Sequence, residues 1–198
     1  MIVEKGGCGN VLIALRTSQH ITRPLNDDEQ RLNIPKVISC NEQRREITVL
    51  QSIANKQVDR AFTFDKVFGP KVQQRSIYDH AISPIVSEVL DGFNCTVFAY
   101  GQTGTGKTYT MEGGMKSKGG ELSAEAGVIP RAVRQIFDTL EVQKADYNMK
   151  VTFLELYNEE ITDLLAPEDN PRSGDDKQKK PISLMEDGKG GVIVRGLE

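Results

Sequence analysis

The chain has 198 residues, 38% of them hydrophobic and 27% charged, the make-up of one ordinary globular domain rather than a disordered or fibrous chain. Its formal net charge of −3 supplies no global basic field, so nucleic acid is not an expected partner. No apolar run approaches the ~20 residues of a membrane-spanning helix, and Met1-Ile2-Val3-Glu4-Lys5-Gly6-Gly7 has no signal-peptide core, so neither membrane nor secretion is expected.

In chain order, Val58 to Phe68 alternates and is aromatic-rich, as strands are. Ser76 fits the cap of a helix running towards Leu90, with Gly92 stopping it and Pro84 predicting a kink or break inside. Thr96-Val97-Phe98-Ala99-Tyr100 is short, apolar and β-branched, and predicts a buried strand. Gly113 to Ala126 is rich in Gly, Ser and charge and reads as a loop. Pro130 at a first helical position, followed by Val133, Ile136, Phe137 and Leu140, with Ile129 before it, predicts an amphipathic helix. Met149 to Tyr157 alternates again, with Val151, Phe153 and Leu156 apolar. Pro167 to Lys180 is the most polar segment and predicts a mobile loop. Ile182-Ser183-Leu184-Met185 and Val192-Ile193-Val194 flank a glycine-rich turn, which predicts a hairpin. Strands alternating with helices argue an α/β fold with a central sheet covered on both faces.

The segment with the clearest chemistry is Gly101-Gln102-Thr103-Gly104-Thr105-Gly106-Lys107-Thr108. It fits G-x-x-x-x-G-K-[ST], the phosphate-binding P-loop, and it follows a predicted strand as that loop must. Its backbone N–H groups, with a helix N-terminus behind them, suit a polyphosphate. Lys107 is placed to reach the β- and γ-phosphates, and the Thr108 hydroxyl to ligate magnesium. Mg²⁺ with ATP or ADP is the cofactor set this implies. The alternative is a Gly/Thr-rich turn beside a surface lysine.

The longer string FAYGQTGTGKTYTMEG, residues 98–113, resembles the kinesin motor family, most of all plant members of the kinesin-5 (BimC) subfamily. Arg23-Pro24-Leu25-Asn26, Phe62-Thr63-Phe64-Asp65-Lys66-Val67-Phe68, Gly127-Val128-Ile129-Pro130-Arg131 and Phe153-Leu154-Glu155-Leu156-Tyr157-Asn158-Glu159-Glu160 with Asp163-Leu164-Leu165 carry the same resemblance in order and spacing. It covers residues 23–198. It implies a P-loop NTPase-type central β-sheet with helices on both faces, divided into residues 1–16, an N-terminal arm with a candidate first strand, and 17–198, the N-terminal part of a motor domain. Within the latter fall the P-loop 101–108, a loop-5 insertion at 113–126 and the mobile loop 167–180. It implies further that Pro24 and Tyr109 pack against adenine and that Arg23 lies beside the base or ribose. Microtubules are the implied partner, with Lys177, Lys179 and Lys180 candidates to face tubulin, and the cytoplasm and spindle the implied location.

Two departures qualify the resemblance. Kinesins read Arg-x-Arg-Pro where this chain reads Ile21-Thr22-Arg23-Pro24. Either the first arginine is lost, or about six residues are inserted after Arg16, since Val11-Leu12-Ile13-Ala14-Leu15-Arg16 is itself similar to the family's first strand. Second, the Asn-x-x-Ser-Ser-Arg-Ser-His and Asp-x-x-Gly-x-Glu motifs that sense γ-phosphate and position water are absent from the sequence. The expectation is therefore an N-terminal portion of a motor (a fragment, a shortened gene product or a pseudo-motor) that binds nucleotide and hydrolyses it poorly. A regulatory half-motor associating through an exposed sheet edge or apolar patches is the non-enzymatic alternative. Glu155, Glu159 and Glu160 read as solvated or capping acids rather than a substitute base. Cys8, Cys40 and Cys95 read as buried or inert thiols, and His20 and His80 show no metal-site pattern.

Overall fold

The structure is a computed structural model, and it describes residues 10–14, 18–53, 56–114, 121–166, 182–186, 188 and 192–196. The mobile-loop expectation at 167–180, with its lysines, lies outside the described residues, as do Cys8, Arg16 and part of the insertion expected at 113–126. The chain divides into two compact units, Met1–Ala145 and Asp146–Glu198.

The strands of the first unit are β1 (Asn10–Ala14), β2 (Ser18–Thr22), β3 (Ile38–Asn41), β4 (Glu46–Ile53), β5 (Lys56–Thr63), β6 (Lys66–Phe68) and β7 (Phe98–Tyr100). Its helices are α1 (Asp27–Arg31), α2 (Gln74–Ile77), α3 (Ser83–Leu90), α4 (Lys107–Met111) and α5 (Val128–Gln143). A four-stranded sheet runs in the order β6-β2-β1-β7. β2 and β6 are parallel, and β1 is antiparallel to both of its neighbours. A separate three-stranded meander, β3-β4-β5, is antiparallel throughout. The candidate strand in the N-terminal arm is thus β1, which forms a hairpin-like pair with β2.

Successive residues Gln19, His20 and Ile21 are buried, as are Val67 and Phe68, so β2 and β6 are covered on both faces. On one face Ile21 and Phe68 join Ile77, Tyr78, Ala81, Ile82, Val86 and Val128 in a core that packs α2, α3 and α5 onto the sheet. The Tyr78 hydroxyl donates to Gln135 Oε1 at 2.6 Å, tying this core to α5. Burial, reinforced by the neighbouring Asp79 carboxylate, pushes that hydroxyl up to about 12, so it stays a donor.

The predicted strand over 58–68 is two strands in two sheets. Phe64 and Asp65 interrupt it because the Asp65 carboxylate accepts from Ser18 N (2.6 Å) and Ser18 Oγ (2.9 Å), while Asp65 N donates to Ser18 O. These bonds hold the Asp65 carboxyl below its usual range and hand the chain over to β2.

The helix expected from Ser76 to Leu90 begins one turn earlier, at Gln74. The interruption expected at Pro84 takes the form of a change of helix type directly before it. Tyr78–Ile82 forms a π-helical turn between α2 and α3, and Ser83 N donates back to Tyr78 O. Widening the turn is one way a helix absorbs a proline that has no N–H to donate and a ring that crowds the preceding turn. His80 Nδ1 lies 2.8 Å from Ser76 O, and the Ser83 carbonyl takes Ser87 Oγ and Gln135 Nε2. The helix ends as expected: Gly92 N donates to Val89 O and Phe93 N to Glu88 O, a Schellman motif.

α5 starts at Val128, two residues before Pro130, whose missing donor costs nothing within a first turn. Its apolar stripe is split. Ile136, with Val128 and Ala132, faces the core, whereas Ile129, Val133 and Phe137 are exposed. β7 is likewise not the buried strand expected: it forms a sheet edge among the described residues, with Phe98 and Tyr100 about half exposed and only Ala99 packed inward.

The second unit holds β8 (Leu154–Tyr157) paired with β9 (Glu160–Asp163), and β10 (Ser183–Glu186) paired with β11 (Val192–Arg195), all antiparallel. The latter pair is the predicted hairpin. The strand predicted from Met149 shrinks to its last four residues, leaving Val151 and Phe153 exposed. Asn158 and Glu159 both adopt positive φ, the geometry of a tight two-residue hairpin turn. Glu155, Glu159 and Glu160 are exposed on this hairpin.

His20 links burial to pH. Its ring packs on Phe64 with centroids 4.8 Å apart, and Nε2 is buried with no hydrogen-bond partner among the described residues. Burial depresses its pKa from 6.5 to about 4. The unfolded chain therefore takes up a proton near pH 6.5 that the native chain refuses until about pH 4, so stability falls as pH drops through that window, by about 3 kcal/mol in all. Urea midpoints of the wild type should fall more steeply between pH 6.5 and 4 than those of His20→Leu. Parallel curves would show that His20 protonates freely in the native state.

Candidate functional site

Three loops leave the same end of the four-stranded sheet. Because β1 is antiparallel to both neighbours, β2, β6 and β7 all run the same way. Thr22 at the end of β2 pairs with Asn10, Tyr100 at the end of β7 pairs with Leu12, and Phe68 at the end of β6 pairs with Ile21. The exits to Arg23-Pro24, to Gly69 and to Gly101 thus gather at the carboxyl ends of parallel strands, where open α/β sheets place ligands. β2 and β7 are two strand spacings apart, about 10 Å.

Residues 101–106 form the loop between β7 and α4. Gly106 is the N-cap of α4 with φ 97° and ψ 17°, a left-handed geometry that penalises any residue with a Cβ. Lys107 is half-buried, and its ammonium donates to Gly101 O and Gln102 O, each at 2.9 Å. The cation therefore lies across the loop's mouth, tethered to the carbonyls on its outer side. Thr105 is 2% exposed, and its Oγ1 is buried with no hydrogen-bond partner among the described residues. A buried hydroxyl in this state has its hydrogen-bonding capacity uncommitted. Thr108 sits exposed in the first turn. These features fit a polyphosphate with Mg²⁺: a loop bent as only glycine permits, a lysine at its rim and a threonine hydroxyl beside it. α4 has five residues, so the loop amides rather than a long helix dipole carry the attraction for an anion.

α4 ends at Met111, and the two ends of the segment 113–126 that follows are zipped together. Gly113 bridges Ala126, Gly127 N donates to Glu112 O at 3.0 Å, and Gly114 N to Glu125 O at 3.3 Å. Arg131 on α5 holds the returning strand through Ala126 O (2.9 Å), Ala124 O (3.0 Å) and Ser123 O (3.3 Å). Gln74 Nε2 donates to Tyr109 O at 2.5 Å and braces α4 from α2.

Pro24 and Tyr109, the residues expected to pack on adenine, are both exposed. Arg23 is committed elsewhere: its guanidinium forms a bidentate pair with Glu29 at 2.7 and 2.6 Å. A hollow of about 490 Å³ reaches Tyr109 from Gln73, Gln74 and Leu122, and another of about 500 Å³ lies between Tyr78 and Gln135. Neither includes residues 101–108. Sequence reasoning missed Glu29, Gln74 and Arg131. Glu29 had a readable signal, the Asn26-x-x-Glu29 capping box; the other two act across loops and had none. Cys95 is exposed and Cys40 half-buried, both free thiols. Among the described residues no cluster of His, Cys, Asp or Glu suits a metal, and no helix is long and apolar enough to cross a membrane.

Comparison with known proteins agrees with this geometry. Residues 22–198 match the kinesin motor domain. The chain is 74% identical over 189 residues to kinesin-like protein KIN-5B of Arabidopsis thaliana, covering 96% of this chain and 18% of that protein. It is 67% identical over 199 residues to KIN-5A of Oryza sativa subsp. japonica, covering 98% and 18%. With KIN-5C of Arabidopsis thaliana the identity is 66% over 200 residues, covering 98% and 19%. The chain thus spans about a fifth of the length of these relatives. The chain, an α/β fold with a glycine-bent loop at the carboxyl end of its sheet, matched across residues 22–198, belongs to the kinesin motor domain family.

Proposed function

We propose that this chain is the nucleotide-binding part of an ATP-driven microtubule motor, and that a polypeptide of these 198 residues binds Mg-ATP and Mg-ADP but turns ATP over slowly. The observation that carries this reading is the loop 101–106 with Lys107 laid across its mouth. The loop amides orient the phosphates, and Lys107 exchanges its two carbonyl partners for phosphate oxygens. Thr108 offers its hydroxyl to Mg²⁺, which when bound neutralises charge on the β- and γ-oxygens. Pro24 and Tyr109 sandwich the base. Within these residues no Asp-x-x-Gly-x-Glu or Ser-Ser-Arg-Ser segment is present to set the attacking water, so binding outruns hydrolysis. Microtubules and the spindle cytoskeleton are the partner and place that this reading assigns, with Lys177, Lys179 and Lys180 as the residues proposed to meet tubulin's acidic surface.

A second reading, a non-enzymatic nucleotide-binding interaction module, is favoured by the exposed edge of β7 and the exposed Ile129, Val133 and Phe137. Calorimetry with Mg-ADP and phosphate release with microtubules separate the two. Micromolar or tighter Mg-ADP binding with phosphate release barely above background is the expected result. Strong microtubule-stimulated release would overturn the slow-turnover proposal and exclude the second reading. Absence of Mg-ADP binding at millimolar nucleotide would overturn both.

A further inference from the structure

The turn that follows β2 is organised by one carboxylate. Glu29 accepts both terminal nitrogens of Arg23, NH1 on Oε2 at 2.7 Å and NH2 on Oε1 at 2.6 Å. It also accepts the backbone N–H of Asn26 at 2.8 Å, while its own N–H donates to Asn26 Oδ1 at 2.8 Å. Arg23 NH1 reaches on to Pro24 O at 2.8 Å. The two side chains of the pair are about three-quarters buried, with exposures of 25% and 23%, while Pro24 and Asn26 are exposed. Three donors converge on the carboxylate and hold it down at about 2, so it is ionised at any working pH. The ring of Pro24 is thereby fixed from both sides: by its own carbonyl through Arg23, and by the next turn of chain through the capping box.

We infer that Glu29 is a positioning residue for the base end of the nucleotide site, acting through Arg23 and the amide of Asn26 to hold Pro24 as a preformed platform. This rests on the nucleotide-binding reading above. Arg23 on this account works on the protein and not on the nucleotide. The phosphate end is independent of the clamp, because loop 101–106 hangs from a different strand. Preorganisation of this kind tightens binding by removing an ordering cost, and only for ligands that use the ordered part.

The test compares two ligands, Mg-ADP and magnesium tripolyphosphate, which has no base, by calorimetry on the whole chain. Glu29→Gln, which keeps the size and removes the charge, is expected to weaken Mg-ADP by about tenfold while tripolyphosphate stays within about twofold. Arg23→Ala should give the same pattern, and the double variant no further loss, since both act through one clamp. Equal losses for the two ligands, or no loss for either, would overturn the inference while leaving the nucleotide site standing. Wild-type chain that binds neither ligand overturns the site itself, and the inference with it. A Glu29→Gln chain that loses its cooperative melt is replaced by Asn26→Ala, which removes only the Oδ1 acceptor and is expected to weaken Mg-ADP selectively but less.

Discussion

Replacing Lys107 by alanine is expected to weaken Mg-ADP binding by about 100- to 1,000-fold while leaving the melting temperature within a few degrees of wild type. The affinity loss follows from what the ammonium does when the loop is loaded. It is half-buried, it belongs to the loop's rim, and its two present partners are neutral carbonyl oxygens of Gly101 and Gln102. Exchanging them for anionic phosphate oxygens converts two ordinary hydrogen bonds into charge-assisted ones, each worth about 1.5–3 kcal/mol. The small stability effect follows from the same two bonds. In the unliganded chain they contribute about 1 kcal/mol apiece at most, and the carbonyls they release lie near solvent, where water replaces the ammonium. Calorimetry and thermal melts on the same preparation separate the two effects. Unchanged affinity would remove the phosphate-cradle reading at its root. A melt lowered by more than about ten degrees would instead make Lys107 a structural strut of the loop.

The parts of this molecule that could be read from sequence are those whose cause is local. The 101–108 segment is legible as a bent loop between strand and helix because the glycines that permit the bend lie within eight consecutive residues. The helix end at Gly92 and the hairpin of β10 and β11 are legible because the residue that stops or turns the chain is in place. What failed depends on partners far along the chain. Asp65 divides the 58–68 run because Ser18, forty-seven residues earlier, supplies it with two donors. The bonds by which Gln135 accepts from Tyr78 and donates to the Ser83 carbonyl, on either side of the π turn, span more than fifty residues and have no signal in the local sequence. Periodicity on α5 correctly marked Ile129, Val133 and Phe137 as apolar, but it measures composition and not what lies opposite, so it assigned an exposed face to the core. At the site, the resemblance singled out Arg23, whereas its pairing with Glu29 shows only in the geometry.

Gly127→Ala is expected to lower the melting temperature by about 3–10 °C and to weaken Mg-ADP binding with it. The residue sits at φ −81° and ψ −164°, a conformation open to any L-residue, so backbone strain contributes nothing and the whole effect is steric. An added Cβ would stand 2.6 Å from both the carbonyl carbon and oxygen of Met111 and 2.7 Å from Thr110 O. All three are main-chain atoms of α4, so no rotamer change relieves the contact; α4 must move away from the start of α5. That movement stretches the Gly127 N–Glu112 O bond and the Gly113–Ala126 bridge that close the insertion. Overpacking of this size costs about 1–3 kcal/mol. Because α4 begins with Lys107 and Thr108, the displacement is carried directly to the phosphate end of the site. Gly188→Ala is the matched control, since a Cβ there meets nothing within 4 Å, and its melt should overlay the wild type. If Gly127→Ala melts with the wild type, the zipped stem is looser than these distances imply. If it melts lower yet binds Mg-ADP normally, the segment 113–126 closes the fold without setting the nucleotide loop, and α4 is held in place by Gln74 of α2 and by Met111 on the core.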